Sequence, residues 1–355
     1  MIVLVIIGLD NPSAAVQVGW DGAYAMTLSY VLSLILALFF TLPIPSNAQL
    51  PTKALPRIGV IFTIGTPDTP SPTYEAYKLG LRDLGYSEGK NIVIERRYAE
   101  GRLDRMPPFV QEFVQQKVDV ILGVNNVIIR AAKEATKTIP IVMISSVDPV
   151  AAGYVESFAH PGGNITGLAW LNRDLSAKRI ELLKELLPKL SRIAILWDAD
   201  APGPTVAFKE YNAAAGAFKL ELRSLELHGP IPDLAGAVQG AKNANTDAVI
   251  VVGNPMMSQH MKTLFQFVTK HRMPSMTEED RYVEAGGLIS YGANLSDLYR
   301  RAAEYTVEIL KGAKPADLPV KLPSKFDIFV NLKTAQQIGV AVPQRVLLQA
   351  DKVIK

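Results

Sequence analysis

At 355 residues the chain is long enough for two domains that each bury a core, and 48% hydrophobic with 20% charged residues is the balance of a soluble globular protein. A formal charge of +3 with no lysine- or arginine-rich block argues against a nucleic-acid partner. With no cysteine anywhere, a disulfide framework, a thiolate metal site and a lipid-modified cysteine are excluded.

Residues 28–42 form a largely apolar run free of charge, followed by Pro43, Pro45 and the small-x-small triplet Ser46-Asn47-Ala48. That order describes a secretory signal peptide cleaved after Ala48, and it implies a periplasmic protein. The run is shorter than the roughly 18 residues that a membrane span needs. No Lys or Arg precedes Lys53, so a start at Met26 gives a signal of ordinary length over 26–48. Residues 1–25 are then an N-terminal extension, left out of the fold reasoning, and 49–56 are a proline-bearing linker.

From Arg57 the pattern alternates. RIGVIFTIG is a short apolar run closed by glycine, as expected of a buried parallel strand. Helices are expected over 74–84, 109–116 and 127–136, and strands over 91–97, 118–122 and 140–144. The stretch DPVAAGYVESFAHPGGNITG (148–167) reads as a joint. Asp148-Pro149 suits a helix N-cap with proline at the first helical position, and Gly162-Gly163 ends that short helix before a strand resumes at Ile165. A second alternation follows: helices over 177–187, 206–218, 234–242 and 256–270, with strands over 192–197, 220–225 and 248–252. Later come a glycine-bracketed strand at 286–292, a helix sharing Leu298, Ala302, Tyr305 and Ile309 on one face, a strand at 326–330 and a helix capped by Asn331. Strand and helix alternating with short connections argue for parallel sheets built of right-handed βαβ units.

Signatures of catalysis are missing from this pattern. There is no G-x-S-x-G elbow, H-E-x-x-H helix, G-x-G-x-x-G fingerprint or EF-hand loop, and GYSEGKN at 85–91 has the wrong spacing for a phosphate loop. The four histidines are not paired at metal-ligand spacing, so neither a metal nor a cofactor is expected. In open parallel sheets, ligands lie beyond the carboxyl ends of the strands. There the chain places Thr63, Thr66, Asn125, Asn126, Ser145, Ser146 and Asp148 in its first half, and Trp197, Asp198, Asn254 and Tyr291 in its second. Amides and hydroxyls beside helix N-termini suit a carboxylate ligand, and Tyr74, Trp197 and Tyr291 offer stacking surfaces. Capping explains Asn126 and Asp148 equally, and core packing explains the aromatic residues.

Several long motifs then occur in one order: RIGV at Arg57, LRDLGYSEGKNIVIERRYAEG from Leu81, IPIVMISSVDPVAAGYVESFAHPGGNITG from Ile139, KRIELLKELLP from Lys178, VEAGGLISYGANLSDLYRRAAEYTVEILKGAKPADLPV from Val283 and KFDIFVNLKTAQQIGVAVP from Lys325. Together they resemble the ABC-transporter substrate-binding proteins of the tryptophan/tyrosine-permease-like group. The resemblance implies an α/β fold of the type I periplasmic-binding-protein kind: two Rossmann-like lobes with parallel sheets, joined by a three-crossover hinge. Lobe 1 would hold 57–167 and 291–316, and lobe 2 would hold 168–290 and 317–355. Hinge positions follow from its Pro-Gly-Gly-Asn-x-Thr-Gly and Ser-Tyr-Gly motifs, here Gly163, Asn164, Thr166, Gly167, Ser290 and Gly292. It implies a monomeric receptor that closes on a small solute, an amino acid or related carboxylate and aromatic in the family's named members, and delivers it to a permease and an ATPase. Gly123-Val124-Asn125-Asn126 replaces the family's Gly-Thr-Pro-like turn, which bears on ligand identity. A ligand-sensing ectodomain, a regulator and an α/β hydrolase share the scaffold. A regulator calls for a helix-turn-helix where this chain has its export signal, and a hydrolase for an activated nucleophile.

Overall fold

The computed structural model describes residues 54–69, 71–170 and 175–355. The expected extension and signal peptide, and all of the linker except 54–56, lie outside these residues.

Strands β1 (Arg57–Phe62), β2 (Val93–Tyr98), β3 (Val120–Gly123), β4 (Ile141–Ser145) and β5 (Ile165–Ala169) form one sheet in the order β2-β1-β3-β4-β5, every pair parallel. Helices cover both faces, which is why the strands read as unbroken apolar runs rather than alternating ones. Ile58, Val60, Val120, Leu122, Val142 and Ile144 point to one core, and Ile61, Ile121, Ile141, Met143 and Ile165 to the other. Helix α1 (Pro72–Asp83) starts with proline in its first turn, where a missing N–H costs nothing, and helices α2 (Met106–Gln115) and α3 (Asn126–Ala135) pack on the opposite face.

The second sheet holds β6 (Arg192–Asp198), β7 (Glu221–Leu227), β8 (Ala248–Val251), β9 (Ser275–Thr277), β10 (Ile289–Ala293), β11 (Phe326–Asn331) and β12 (Lys352–Ile354), in the order β12-β11-β10-β9-β8-β6-β7. Only the β10–β11 pair is antiparallel. Helices α4 (Ser176–Leu186) and α5 (Pro202–Ala217) cover one face through Ile180, Leu183 and Tyr211. Helices α6 (Leu234–Asn243) and α7 (Pro255–Lys270) cover the other through Val238, Leu264 and Phe265, with the short α8 (Asp280–Glu284) adding Tyr282.

Helix α9 (Leu295–Leu310) leaves the second sheet at β10 and packs on α1 in the first. Its Leu298, Ala302 and Ala303 meet Tyr77 and Leu81, and the Tyr77 hydroxyl bonds Thr306 Oγ1 at 3.0 Å. Burying one such leucine stabilises by roughly 1.5–3 kcal/mol. The chain then passes Lys321, which still bridges β5 at Leu168, and returns to the second sheet as β11. Helices α10 (Leu332–Ile338) and α11 (Gln344–Gln349) complete it. Both sheets belong to one contact-defined unit, Leu55–Lys355.

Two local expectations change. The helix expected after Asp148 is a single turn: Asp148 Oδ1 accepts the Val150 and Ala151 N–H groups at 2.9 and 3.1 Å, as a cap should. Gly153 then turns left-handed at φ 68° and Tyr154 N–H bonds back to Pro149. The loop through Gly163 and Asn164 joins β4 to β5 within the first sheet, so the joint lies later. The sheets change over after Ala169, Ala293 and Lys321, because β5 and β10 run their full length and Lys321 N–H and C=O still bond β5.

Candidate functional site

The carboxyl end of the first sheet carries a neutral cluster. Asn125 caps α3 by accepting the Ile128 N–H at 2.9 Å, while its amide donates to Thr63 Oγ1 at 2.7 Å, beyond β1. Asn126 Nδ2 donates to Ser146 Oγ and Ser145 Oγ donates to Asn126 Oδ1, both at 3.3 Å, beyond β4. Five of the expected residues, Thr63, Asn125, Asn126, Ser145 and Ser146, thus come together. Thr66 stands apart, exposed in a turn closed by Thr69, and Asp148 is engaged in its own turn.

The corresponding end of the second sheet is charged. Asn254 caps α7 through Met257 N–H at 2.7 Å and donates to Asp198 Oδ2 at 2.5 Å, so these two expected residues are linked. Behind them Arg179 and Glu278 form an ion pair at 3.2 Å, with side chains 0% and 2% exposed. Arg179 also donates to the Tyr211 hydroxyl at 3.0 Å and from Nε to the Tyr291 carbonyl at 2.8 Å, and Glu278 Oε2 accepts the Gly253 N–H at 3.1 Å. Burial raises the Glu278 carboxyl pKa against the pull of Arg179. One network therefore ties the start of α4, the end of β8 and the last strand before the second crossover.

Trp197 is buried in the core of the second sheet, and Tyr291, half-buried, packs against that core. The Trp197 ring stacks on Phe208 at 4.8 Å and its Nε1 donates to Ser224 Oγ at 2.9 Å. Tyr291 packs on the same cluster and stacks on Phe326 at 6.0 Å. Tyr74 lines a cavity of about 490 Å³ with Phe62, Tyr98 and Arg96, all of the first sheet and its helix.

The residues expected at the hinge fall in three places. Gly163 and Asn164 precede β5; Asn164 Nδ2 bonds the Thr136 and Ile139 carbonyls at the amino end of the sheet. Thr166 and Gly167 lie within β5, where Thr166 Oγ1 donates to Leu318 C=O and so ties the first crossover to the third. Ser290 and Gly292 lie in β10. A Cβ on Gly292 would stand 1.9 Å from the Glu278 carbonyl oxygen, so no other residue fits there without moving backbone. Beyond it Asn294 caps α9, donates to Asp327 Oδ2 at 2.7 Å and bonds Lys325 C=O, linking the second crossover to the third.

Residues from the two sheets meet across the crevice. A Cβ on Gly101, in the turn after β2, would stand 1.4 Å from Gln259 Nε2 on α7. Gly101 has φ 81°, a conformation open to glycine and strained for other residues. Elsewhere along the crevice Tyr299 of α9, bonded to Thr73, lies close enough to Glu279 and Arg281 that both charges affect its hydroxyl; burial, the larger influence, pushes that hydroxyl up to about 12. Gln259, Glu279, Arg281 and Arg179 are absent from the sequence-based candidates. The one available signal was position: Glu279 and Arg281 follow β9 within four residues.

Among the described residues, no group of three or more His, Asp or Glu side chains could hold a metal ion. Residues 57–354 match the family model of ABC transporter substrate binding proteins. The tyrosine-binding protein of Clostridioides difficile (strain R20291) is 27% identical over 299 residues, 82% of this chain and 83% of that protein. The ABC domain from Streptococcus pneumonia solved in complex with L-Trp is 27% identical and superposes with a TM-score of 0.76 over 85% of this chain and 100% of its own. A conserved domain protein from Vibrio cholerae does so with a TM-score of 0.76 at 25% identity, over 84% of this chain and 99% of its own. A glucose-galactose binding protein from Geobacillus stearothermophilus, 12% identical with a TM-score of 0.56 over 78% of this chain and 98% of its own, shares the type I periplasmic-binding-protein fold. With two parallel-dominated sheets, three crossovers and a family match over nearly all the described residues, the chain belongs to the ABC transporter substrate binding protein family.

Proposed function

We propose that this protein captures an aromatic amino acid between the carboxyl ends of its two sheets, closes on it, and presents the closed form to the permease and ATPase of an importer. The observation that carries the reading is the meeting of Gly101 with Gln259, because a contact between the turn after β2 and α7 brings the rims of the two sheets together. A ligand held between both rims favours that form by its contacts with the second rim. The tyrosine-binding relative and the L-Trp complex support the choice of ligand. No residue is assigned a catalytic role, since every polar group of the two rims can be read as holding a ligand or a neighbouring side chain. Export to the periplasm, release of the signal after Ala48 and action as a monomer without nucleic acid complete the reading.

Thermal unfolding in the presence of the common amino acids, aromatic acids and sugars tests it. A ligand at 100 times its Kd stabilises the folded state by about 2.7 kcal/mol. L-tryptophan or L-tyrosine should give the largest rise in Tm. A rise with sugars alone, or with no compound of the series, would overturn the reading.

A further inference from the structure

The charged rim holds an arrangement that the fold itself does not require. Glu279 Oε2 accepts from Arg281 Nε at 2.6 Å, and its Oε1 lies over Gly253 at the end of β8, 3.1 Å from where a Cβ would stand. Among the described residues Oε1 accepts no hydrogen bond, although the Glu279 side chain is only 7% exposed. The Arg281 guanidinium rests on the Tyr282 ring at 5.2 Å, and its backbone N–H is held by Asp280 Oδ1 at 2.8 Å. Its two Nη groups have no acceptor among the described residues, and 36% of the side chain remains exposed. The charges of Arg281 and Glu279 both reach the Tyr299 hydroxyl of α9, and at the carboxyl end of β5 the buried Trp170 Nε1 has no acceptor among the described residues.

We propose that Arg281 and Glu279 form the receptor for an amino acid zwitterion, Arg281 taking the α-carboxylate on its two Nη groups and Glu279 Oε1 taking the α-ammonium. The proposal rests on the reading of the crevice as an amino acid site and names the groups that make it one. Guanidinium and carboxylate match as a planar, two-point pair, and Nε anchored on Glu279 with the face packed on Tyr282 leaves that edge oriented before the ligand arrives. Side by side, the two charges offer plus and minus at the short separation found within an α-amino acid. A neutral sugar would gain nothing from either.

Calorimetric titration of the unaltered protein with L-tryptophan, L-tryptophanamide and indole-3-propionate tests this directly, since the last two lack the carboxylate and the ammonium in turn. Losing one partner of a buried, hydrogen-bonded charge pair should lower affinity at least about 30-fold for each. R281A should lose a similar factor for L-tryptophan and no longer distinguish it from the amide, while E279Q should no longer distinguish it from indole-3-propionate. R281K, which keeps the charge without the fork, should fall between. Should a variant fail to fold, the ligand series on the unaltered protein decides alone. Equal affinity for acid and amide, or an unchanged preference in R281A, overturns the assignment while the amino acid site stands. Failure of the unaltered protein to bind any amino acid removes that site and the assignment with it.

Discussion

The two rims that face the crevice are built from different chemistry on the same plan. Beyond the first sheet stand Thr63, Asn125, Asn126, Ser145 and Ser146, neutral groups bonded to one another and to a helix start. Beyond the second stand Asp198, Glu278, Glu279 and Arg281, with Arg179 buried beneath. A neutral rim whose bonds are already made costs little to desolvate when the crevice closes. A charged rim costs more, and it is tolerable only where each charge has a partner. On the proposed reading, the first rim shapes the site and the second rim selects by charge.

The largest effect should come from breaking the charged rim at its base. Arg179→Met removes the Arg179 guanidinium from the buried Glu278 carboxylate, and removing one partner of a buried pair costs about 3–5 kcal/mol. Chemical denaturation should show this as a lower midpoint. The loss should depend on pH in one direction. Burial already raises the Glu278 pKa in the folded protein, and losing Arg179 raises it further. A raised carboxyl pKa contributes stability that is fully present below the unfolded value and is lost as pH rises through the folded value. The variant should thus approach the unaltered protein in acid and fall furthest behind at neutral pH. A deficit that grows as pH falls would show that the pair is not what holds this rim.

Next in size is the contact that joins the rims. Gly101→Ala places a methyl group where Gln259 Nε2 now lies. Backbone strain at φ 81° is common to open and closed forms and should lower stability alone. On the proposed closure the clash arises only when the lobes come together, so ligand affinity should drop by about tenfold, equal to about 1.4 kcal/mol. Adding Gln259→Ala should restore affinity without restoring stability. If affinity is unchanged in G101A, the contact has no part in closure.

How far the sequence anticipates these features depends on what each residue type competes with. The parallel sheets were legible because strands buried on both faces leave unbroken apolar runs such as RIAILW and AVIVV, each followed by a helix-period stripe. One capping residue of each rim was legible too, because Asn125 and Asn254 follow strands and precede helices, where a side-chain cap is needed. Trp197 and Tyr291 were harder to place, because a position toward the carboxyl end of a strand does not decide which way a side chain points. Trp197 shares its face with Ile193 and Ile195, and Tyr291 with Ile289, so the helix-covered face claims both. Arg179 was hidden for the opposite reason: within KRIELLKELL a charge reads as a solvated face, and only tertiary structure brings Glu278 and Tyr211 to it. The turn after Asp148 shows the limit of local signals, since a sound cap and a proline start a helix that Gly153 ends after one turn.

The smallest effect should come from the neutral rim, and two substitutions separate its roles. Asn125→Ala removes both the cap on α3 and the bond to Thr63, and loss of such a cap costs about 1 kcal/mol. Thr63→Val removes the bond and leaves the cap in place. If the rim only shapes the site, Asn125→Ala should lower the denaturation midpoint modestly, Thr63→Val should leave it nearly unchanged, and both should reduce ligand affinity by less than tenfold. Calorimetry on the two variants reads the comparison between rims directly. A loss at Thr63→Val as large as that at Arg281→Ala would mean that the first rim contributes binding energy as well as shape, and selection would then be shared across the crevice.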